Sequence, residues 1–416
     1  MISSSCFAWQ IESCNDWGGQ SGRPLFYGKA KFMRILIVLA LLILPPVSVQ
    51  AQGFNTKAPV VVILDGETGA ILFEKDARRP IPPASMTKIM TLYIVFERLE
   101  NGSLSLDDLF TVSDDAWRRG GFRSGSSTMC LRPKERVRVE DLIRGVIVLS
   151  GNDAAITLAE NISGSEADFA KMMTARAHEL GLLSVNFVNA TGWPAEDHEV
   201  SAIDLARMSE LIIKKFPKYY EYFAEREFDW CKAAPSNRFN RNPLLALFEG
   251  ADGLKTGHTK EAGYGLVGSA KQGDNRRIIV AAGMNSKRDR VQESVRIMRA
   301  SFREFEVKKL FEGDRSVGSV KVALGTKKTV RVEVASSVSL GLFKPDARKV
   351  RAEIVYNGPI LAPIAEGQKV GILRIYAVGQ PVIEVELLAS DDVAKKGYFS
   401  RVIDGFVHLL QRPNKD

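Results

Sequence analysis

Residues 59–64 form a short β-branched apolar run, the polar string Asp65-Gly66-Glu67-Thr68-Gly69 follows, and apolar positions return over 70–74. That pattern predicts an antiparallel hairpin. Pro82-Pro83 then opens an apolar helix over 85–99, proline being tolerated in a first helical turn. Helical spacing recurs over 139–149, 153–161, 166–180 and 202–215, so the middle of the chain is expected to be all helix. Strand-like segments come back at 253–259, 264–270 and 277–283, with the turn Gln272-Gly273-Asp274-Asn275 between the last two, and a helix over 288–305 closes this part. Strands from both ends of a segment that encloses a helical block predict one discontinuous antiparallel sheet covered by helices, an α+β domain over residues 52–311.

Beyond Glu312 the period changes to two, with short alternating segments at 319–324, 330–334, 351–356, 370–376 and 382–388. They predict a small all-β domain over 312–393 that carries no catalytic constellation. The last segment, 394–416, predicts an amphipathic helix. Phe399, Val402, Ile403, Phe406, Leu409 and Leu410 fall on one face, and Arg401, Asp404, His408, Gln411 and Arg412 on the other. An in-plane membrane anchor fits this face, with packing on the β domain as the alternative.

The N-terminal segment, 1–51, follows a different logic. Met33-Arg34 precedes ten apolar residues at 35–44, then Pro45-Pro46 and the small-residue site Val49-Gln50-Ala51. These are the parts of a secretory signal peptide, too short to span a bilayer, with cleavage expected after Ala51. The polar, Gly-rich residues before Met33 read as an upstream translation extension, with a disordered tail as the alternative.

Composition adds little beyond class. At 416 residues, 45% hydrophobic and 25% charged, the chain is long enough for two or more domains. The net charge of +8 falls to +6 once residues 1–51 are set aside, a mild excess that suits an anionic surface but makes no stripe for nucleic acid. Of four cysteines, Cys6 and Cys14 lie in the leader, so Cys130 and Cys231 remain and are expected as isolated buried thiols. No His, Cys or carboxylate cluster has metal-ligand spacing and no Gly-rich loop precedes a phosphate-binding Lys, so neither metal nor cofactor is expected.

Chemistry enters with three ordered strings, Ser85-Met86-Thr87-Lys88, Ser150-Gly151-Asn152 and Lys255-Thr256-Gly257, separated by 62 and 105 residues. A serine hydroxyl needs a base within hydrogen-bond reach to become a nucleophile. Ser85 and Lys88 share one helical face, and a lysine can act as that base once burial and a neighbouring cation such as Lys255 favour its neutral form. Ser85 at a helix start also has a backbone N–H free for an oxyanion.

The ordered triplet resembles the active-site set of penicillin-recognising acyl-serine enzymes. Gly151 stands where class A β-lactamases have Asp, and Lys255-Thr256-Gly257-His258-Thr259 with Ala262-Gly263-Tyr264, Asp153 after Asn152, and Asn240-Arg241-Asn242 resemble the DD-carboxypeptidase branch. The resemblance covers about residues 55–410 and implies a β-lactamase/transpeptidase-like fold. It also implies a serine-type D-alanyl-D-alanine carboxypeptidase, a low-molecular-mass penicillin-binding protein. Its partners would be peptidoglycan stem peptides, β-lactam antibiotics and, through the C-terminal helix, the inner-membrane surface of the periplasm.

By that similarity Ser85 is the nucleophile, Lys88 its base, Ser150 a proton relay to the leaving amine and Asn152 a contact to the substrate amide. Lys255 and Thr256 lie on a strand edge where substrate adds as an extra strand, Gly257 allows backbone to approach backbone, and His258 N–H is the second oxyanion donor. Arg277 and Arg241 are the candidate clamps for the substrate carboxylate, since guanidinium pairs bidentately with it. Arg276 beside Arg277 competes for the role, because alternation turns only one of them toward the site. His258 reads as structural rather than as a general base, and His178, His198 and His408 as surface residues.

Two rivals are set against this reading. A β-lactamase needs an additional deacylating Glu, and residues 186–197, Asn-Phe-Val-Asn-Ala-Thr-Gly-Trp-Pro-Ala-Glu-Asp, hold no Glu-x-x-Leu-Asn string. A non-catalytic wall-binding module has no use for an intact triplet.

Overall fold

The computed structural model describes residues 54–397. The expected extension and signal peptide, and the amphipathic segment from residue 398 onward, lie outside the described residues. Among these, residues 54–310 together with Ser339–Pro345 form one compact unit, and Phe311–Val338 with residues 346–397 form a second.

The first unit is built on a five-stranded antiparallel sheet. Its strands are β1 Val60–Asp65, β2 Ile71–Lys75, β3 Ala251–Thr259, β4 Gly263–Gln272 and β5 Asn275–Met284. Their order is β2-β1-β5-β4-β3, with β1 in register against β5 from Val60–Ala282 to Asp65–Arg277. The N-terminal hairpin therefore docks on a C-terminal meander. All of β1 is buried because both faces of the sheet are covered, and its period of two divides it between two cores. Val60, Val62 and Leu64 join the core of the helical block, while Val61 and Ile63 pack with Ile297, Met298 and Phe305 on the opposite face.

The main helices are α1 Lys88–Glu100, α2 Asn152–Ser163, α3 Glu166–Glu179, α4 Ala202–Lys215 and α5 Lys287–Arg303. α1 is buried nearly all round, through Ile89, Met90, Leu92, Tyr93, Val95 and Phe96. Such a helix has no polar face and belongs inside the block. Ser165, Ser201 and Ser286 each cap a helix by accepting from the N–H three residues on, at Asp168, Asp204 and Asp289. Each cap is worth about 1 kcal/mol.

The helical block departs from expectation in three ways. Pro80–Ile81 pairs with Val200–Ser201, and Leu109–Thr111 with Arg136–Arg138, ribbons too short to leave a period in the sequence. The stretch expected as one helix over 139–149 is an α-helix, Val139–Arg144, followed by a π-turn, Gly145–Leu149. Ser85 lies in a 3-10 turn, Ala84–Thr87, and the α-helix begins only at Lys88.

Two further strands, Phe305–Phe311 and Val338–Phe343, also lay outside the pattern-based reading, and they pair with each other. Phe305 starts the first of them rather than ending α5, and its ring packs edge-on to Phe54 and tilted against Phe343. Cys130 and Cys231 are joined in a disulfide, with Cα atoms 5.3 Å apart, where isolated thiols were expected. The fold brings together two loops 101 residues apart, a proximity that cysteine spacing does not encode.

The second unit is a six-stranded sheet in the order Arg351–Val355, Lys369–Tyr376, Ile383–Ala389, Thr329–Val334, Ser316–Ala323, Ile360–Leu361. Neighbours are antiparallel except for the last pair, Val322–Ala323 against Ile360–Leu361. Val320, Val330, Val332, Leu373, Ile375 and Leu387 are among its buried apolar positions.

Candidate active site

The 3-10 turn sets the first contact. Side chains three apart eclipse in such a turn, and Lys88 Nζ lies 3.1 Å from Ser85 Oγ. The same amine donates to Asn152 Oδ1 at 2.7 Å and to the Thr191 carbonyl at 2.6 Å. Lys88 is fully buried. Burial, reinforced by the positive charge of Arg241 and partly offset by Glu166 and Asp153, lowers its pKa to about 7.

The second lysine makes a parallel arrangement. Lys255, from β3, donates to Ser150 Oγ at 2.8 Å and to the Thr256 carbonyl at 3.2 Å. Its pKa falls well below the usual lysine value, first through burial and then through repulsion from Lys88, Arg241 and Arg290. Ser150 reaches this position in the left-handed region, φ 58°, at the end of the π-turn. The N-cap of α2 is Gly151, with no side-chain cap, so Ser150 and Asn152 do not cap the helix. These five residues, Ser85, Lys88, Ser150, Asn152 and Lys255, thus form two hydrogen-bonded sets, Ser85–Lys88–Asn152 and Lys255–Ser150, brought to one cleft by the short segment 150–152 that contributes to both.

Close backbone approach holds the 3-10 turn in place. A Cβ on Gly257 would come within 2.8 Å of the Pro83 carbonyl oxygen, and one on Gly192, at φ +84°, would overlap the Ala84 carbonyl oxygen. On the far side Asp153 organises the adjoining loop, its carboxylate accepting from Thr128 Oγ1 at 2.6 Å, Met129 N at 2.7 Å and Leu131 N at 3.0 Å. Asn152 N donates to Ser127 O at 2.8 Å, which registers that loop against the start of α2.

Ser85 and Ser150 open into a cleft of about 610 Å³ whose walls include Thr256, Gly257, His258, Arg241, Tyr264 and Arg290. His258 is exposed on β3 and lies against its cross-strand partner Tyr264, with ring centroids 3.9 Å apart. The Arg290 guanidinium sits over the same Tyr264 ring at 5.5 Å.

Arg277 is not part of this cleft, which corrects the sequence-based expectation. It pairs with Asp65, its cross-strand neighbour on β1, donates to the Ser301 carbonyl, and lies over the Phe302 ring of α5. The parity of β5 explains this, since 277, 279 and 281 share the α5 face while Lys255 aligns through Val267 with Val280 on the other. Arg276 does not replace it, being tied to Asp252 and Ser269 at the opposite end of β3.

His198 also departs from expectation, for it is buried rather than on the surface. Its Nδ1 accepts from Val188 N at 3.0 Å, which leaves Nε2–H to donate to Thr87 Oγ1 at 2.8 Å. Burial, and then the Lys88 charge, lower its pKa to about 4, so this ring is neutral. His178 is exposed, and His408 lies outside the described residues.

The sequence reading missed Arg290 and the Thr191 carbonyl, and it quoted Tyr264 only within a motif, without a place in the cleft wall. For Arg290 a signal existed: Ser286 with Asp289 three residues on marks a helix start that puts Arg290 in an early turn. Nothing in the sequence marks Thr191, whose contribution is a backbone oxygen.

Comparison with known proteins agrees with this geometry. Residues 47–287 match the family described as D-alanyl-D-alanine carboxypeptidase, and residues 305–395 match the C-terminal domain of penicillin-binding protein 5. The chain is 34% identical over 353 residues to D-alanyl-D-alanine carboxypeptidase DacF of Bacillus subtilis, covering 83% of this chain and 88% of the relative. It is 35% identical over 360 residues to DacC of Escherichia coli, covering 86% and 89%. Among solved structures it is similar to penicillin-binding protein 5 of Haemophilus influenzae, with a TM-score of 0.66, 33% identity and coverage of 82% and 99%. It also resembles penicillin-binding protein D2 of Listeria monocytogenes in its ampicillin-bound form, with a TM-score of 0.53, 30% identity and coverage of 60% and 98%.

The packing at Gly192 yields a test. Gly192→Ala has to displace the Ala84 carbonyl and with it the Ser85 turn, whereas Gly181→Ala, at a comparable φ of +81°, meets open space. Both lose about 1–2 kcal/mol to backbone strain, but only Gly192→Ala should slow acylation of Ser85, by ~10-fold or more. Paired thermal melts and active-site titrations separate the two effects; equal titration rates would count against the packing argument.

Proposed function

The chain belongs to the D-alanyl-D-alanine carboxypeptidase family, and from that premise we propose how its residues remove the terminal D-alanine of peptidoglycan stem peptides. It is a serine-type carboxypeptidase and a low-molecular-mass penicillin-binding protein. The observation that carries the mechanism is the set of partners around Lys88 Nζ. Asn152 Oδ1 and the Thr191 carbonyl can only accept hydrogen bonds, so a neutral amine gives its two N–H groups to them. Its lone pair then faces Ser85 Oγ, the one partner with a proton to donate.

Ser85 loses that proton to Lys88 and attacks the carbonyl between the two D-alanines, and the N–H groups of Ser85 and His258 receive the oxyanion. Ser150 accepts from Lys255 and so keeps its own proton directed away from that lysine, available for the departing amine. Water then takes the place of D-alanine and the same groups release the shortened peptide. Thr256 and Gly257 present the β3 edge to the substrate backbone, and Asn152 contacts its amide.

The leaving residue carries a carboxylate, and Arg290 and Arg241 are its partners. Arg290 is buried in the cleft wall, its Nε has no hydrogen-bond partner, and it forms no ion pair with a carboxylate among the described residues. A buried guanidinium without a counter-charge is costly, and a substrate carboxylate supplies one. Arg241, at the rim, donates to Ser127 Oγ and to Asn237 Oδ1.

A β-lactamase reading lacks its deacylating base. The carboxylates that bear on Lys88 are Glu166 and Asp153. Glu166 accepts from Arg119 and Ala190 N, and Asp153 from Thr128, Met129 and Leu131, so neither is placed to activate a water at the acyl-enzyme.

Localisation belongs to the same proposal. The leader ending at Ala51 supports export to the periplasm, and the apolar face of Phe399, Val402, Ile403, Phe406, Leu409 and Leu410 supports an anchor lying in the inner-membrane surface. No helix among the described residues is long and apolar enough to cross a membrane.

Three measurements check these readings. Incubation with a diacyl-D-Ala-D-Ala peptide should release D-alanine and a fluorescent penicillin should label Ser85, both lost in Ser85→Ala; stoichiometric label on that variant would remove Ser85 as nucleophile. With the Lys88 pKa lowered to about 7, the amine is protonated below that value and cannot accept, so the acylation rate should rise with pH through about 7. Lys88→Arg, cationic throughout, should lose this rise together with nearly all activity. Finally, deleting residues 397–416 should release the protein from vesicles of anionic lipid with its peptide turnover intact, and continued binding would place the anchor elsewhere.

A further inference from the structure

Cys130 and Cys231 join two stretches that share a wall of the cleft. Cys130 belongs to the loop that Asp153 pins from beneath through Thr128, Met129 and Leu131. Cys231 belongs to a strap closed by a single bridge between Glu227 and Phe239, whose regular structure is one 3-10 turn, Pro235–Arg238. The ion pairs of the strap, Arg238 with Glu227 and Lys232 with Asp229, are internal to it and exposed, so they do not fasten it to the loop.

Besides the disulfide, the hydrogen bonds from strap to loop are Asn237 Nδ2 to the Thr128 carbonyl, at 2.8 Å, and that of Arg241. Arg241 straddles the join, donating to Ser127 Oγ on the loop and to Asn237 Oδ1 on the strap. Ser127, Asn237, Phe239 and Arg241 all line the cleft. Hydrogen bonds at an exposed rim exchange readily for water, whereas a covalent cross-link does not.

We propose that the Cys130–Cys231 disulfide is a positioning element for substrate: it locks the strap to the Asp153-pinned loop and so holds Arg241 where the substrate carboxylate binds. This rests on the reading of Arg241 as a carboxylate partner. The oxidised enzyme therefore discriminates in favour of free-acid peptides, and the reduced enzyme loses that preference while keeping its acylation chemistry at a pH where Lys88 is neutral with or without the Arg241 charge beside it. Reduction requires a dithiol, which attacks one sulfur, forms a mixed disulfide and leaves as its own disulfide, while the two cysteines take up two electrons and two protons.

Intact-protein mass spectrometry first establishes the oxidised state, through the mass gain of two hydrogen atoms on reduction; free thiols at both Cys130 and Cys231 in the purified, air-equilibrated protein, located by peptide mapping, would overturn the proposal. The Cys130→Ser/Cys231→Ser double variant is then compared with wild type on a free-acid peptide and on a neutral ester lacking the terminal carboxylate. The expected result, read at about pH 9 where Lys88 is neutral whether or not Arg241 is in place, is a KM raised ~10-fold for the free acid, as for a misplaced positioning group, with kcat and ester acylation of Ser85 unchanged. Equal losses on both substrates, or no loss on either, would sink it. Should the double variant fold poorly by thermal melt, mild reduction of folded wild type is read with the same substrate pair. A wild type that never acylates Ser85 would instead refute the carboxypeptidase reading, and an Arg241→Ala variant with an unchanged free-acid KM would refute the carboxylate role of Arg241.

Discussion

Removing one lysine amine from water is the constraint on which the rest of the site depends. Lys88 is buried at the head of α1, and an ammonium in that position is costly unless it is fully solvated by protein groups or gives up its proton. The fold does some of each. Asn152 Oδ1 and the Thr191 carbonyl solvate it, while Arg241 opposes its charge. Those three groups come from the start of α2, the loop before residue 192 and the strap before β3, so the pKa of one side chain depends on segments far apart in sequence. Each is in turn held by something local: Asn152 by Ser127 O, the Thr191 loop by the contact of Gly192 on the Ala84 carbonyl, and Arg241 by Ser127 and Asn237.

The cleft gathers positive charge without balancing it. Lys88, Lys255, Arg241 and Arg290 act on one another, and repulsion among them contributes to the lowered pKa of both lysines. The nearby carboxylates are spent elsewhere, Asp153 on the loop and Glu166 on Arg119 and Ala190. Such a site favours an anionic guest, and the same excess charge keeps a lysine neutral enough to act as a base. Recognition of the substrate carboxylate and activation of the nucleophile thus share one electrostatic origin.

What could be read from the sequence follows from which features have a period. The sheet, the long helices and the catalytic triplet were legible because alternation, helical spacing and motif order are local. Arg277 and Arg290 show where that ends. Both are arginines near the third motif, but the parity of β5 turns Arg277 toward Asp65, while α5, reached only after the meander has folded, delivers Arg290 to the cleft. Parity could have been worked out only with the register of β3, β4 and β5 in hand. The disulfide, the buried His198 and the two short ribbons failed for a similar reason, since each is a contact between segments whose meeting no short window contains.

The sheet order also bears on how the chain reaches its native state. β1 is five apolar residues followed by Asp65, with both faces covered, and apart from its hairpin with β2 its partner is β5, so Val60 must wait for Ala282. Until then the nascent chain carries an unpaired, two-sided hydrophobic strand edge, the kind of segment that pairs with other chains. High contact order of this kind slows folding. The N-terminal strand therefore stays open to such mispairing until the meander is in place, before any chemistry at Ser85 is possible.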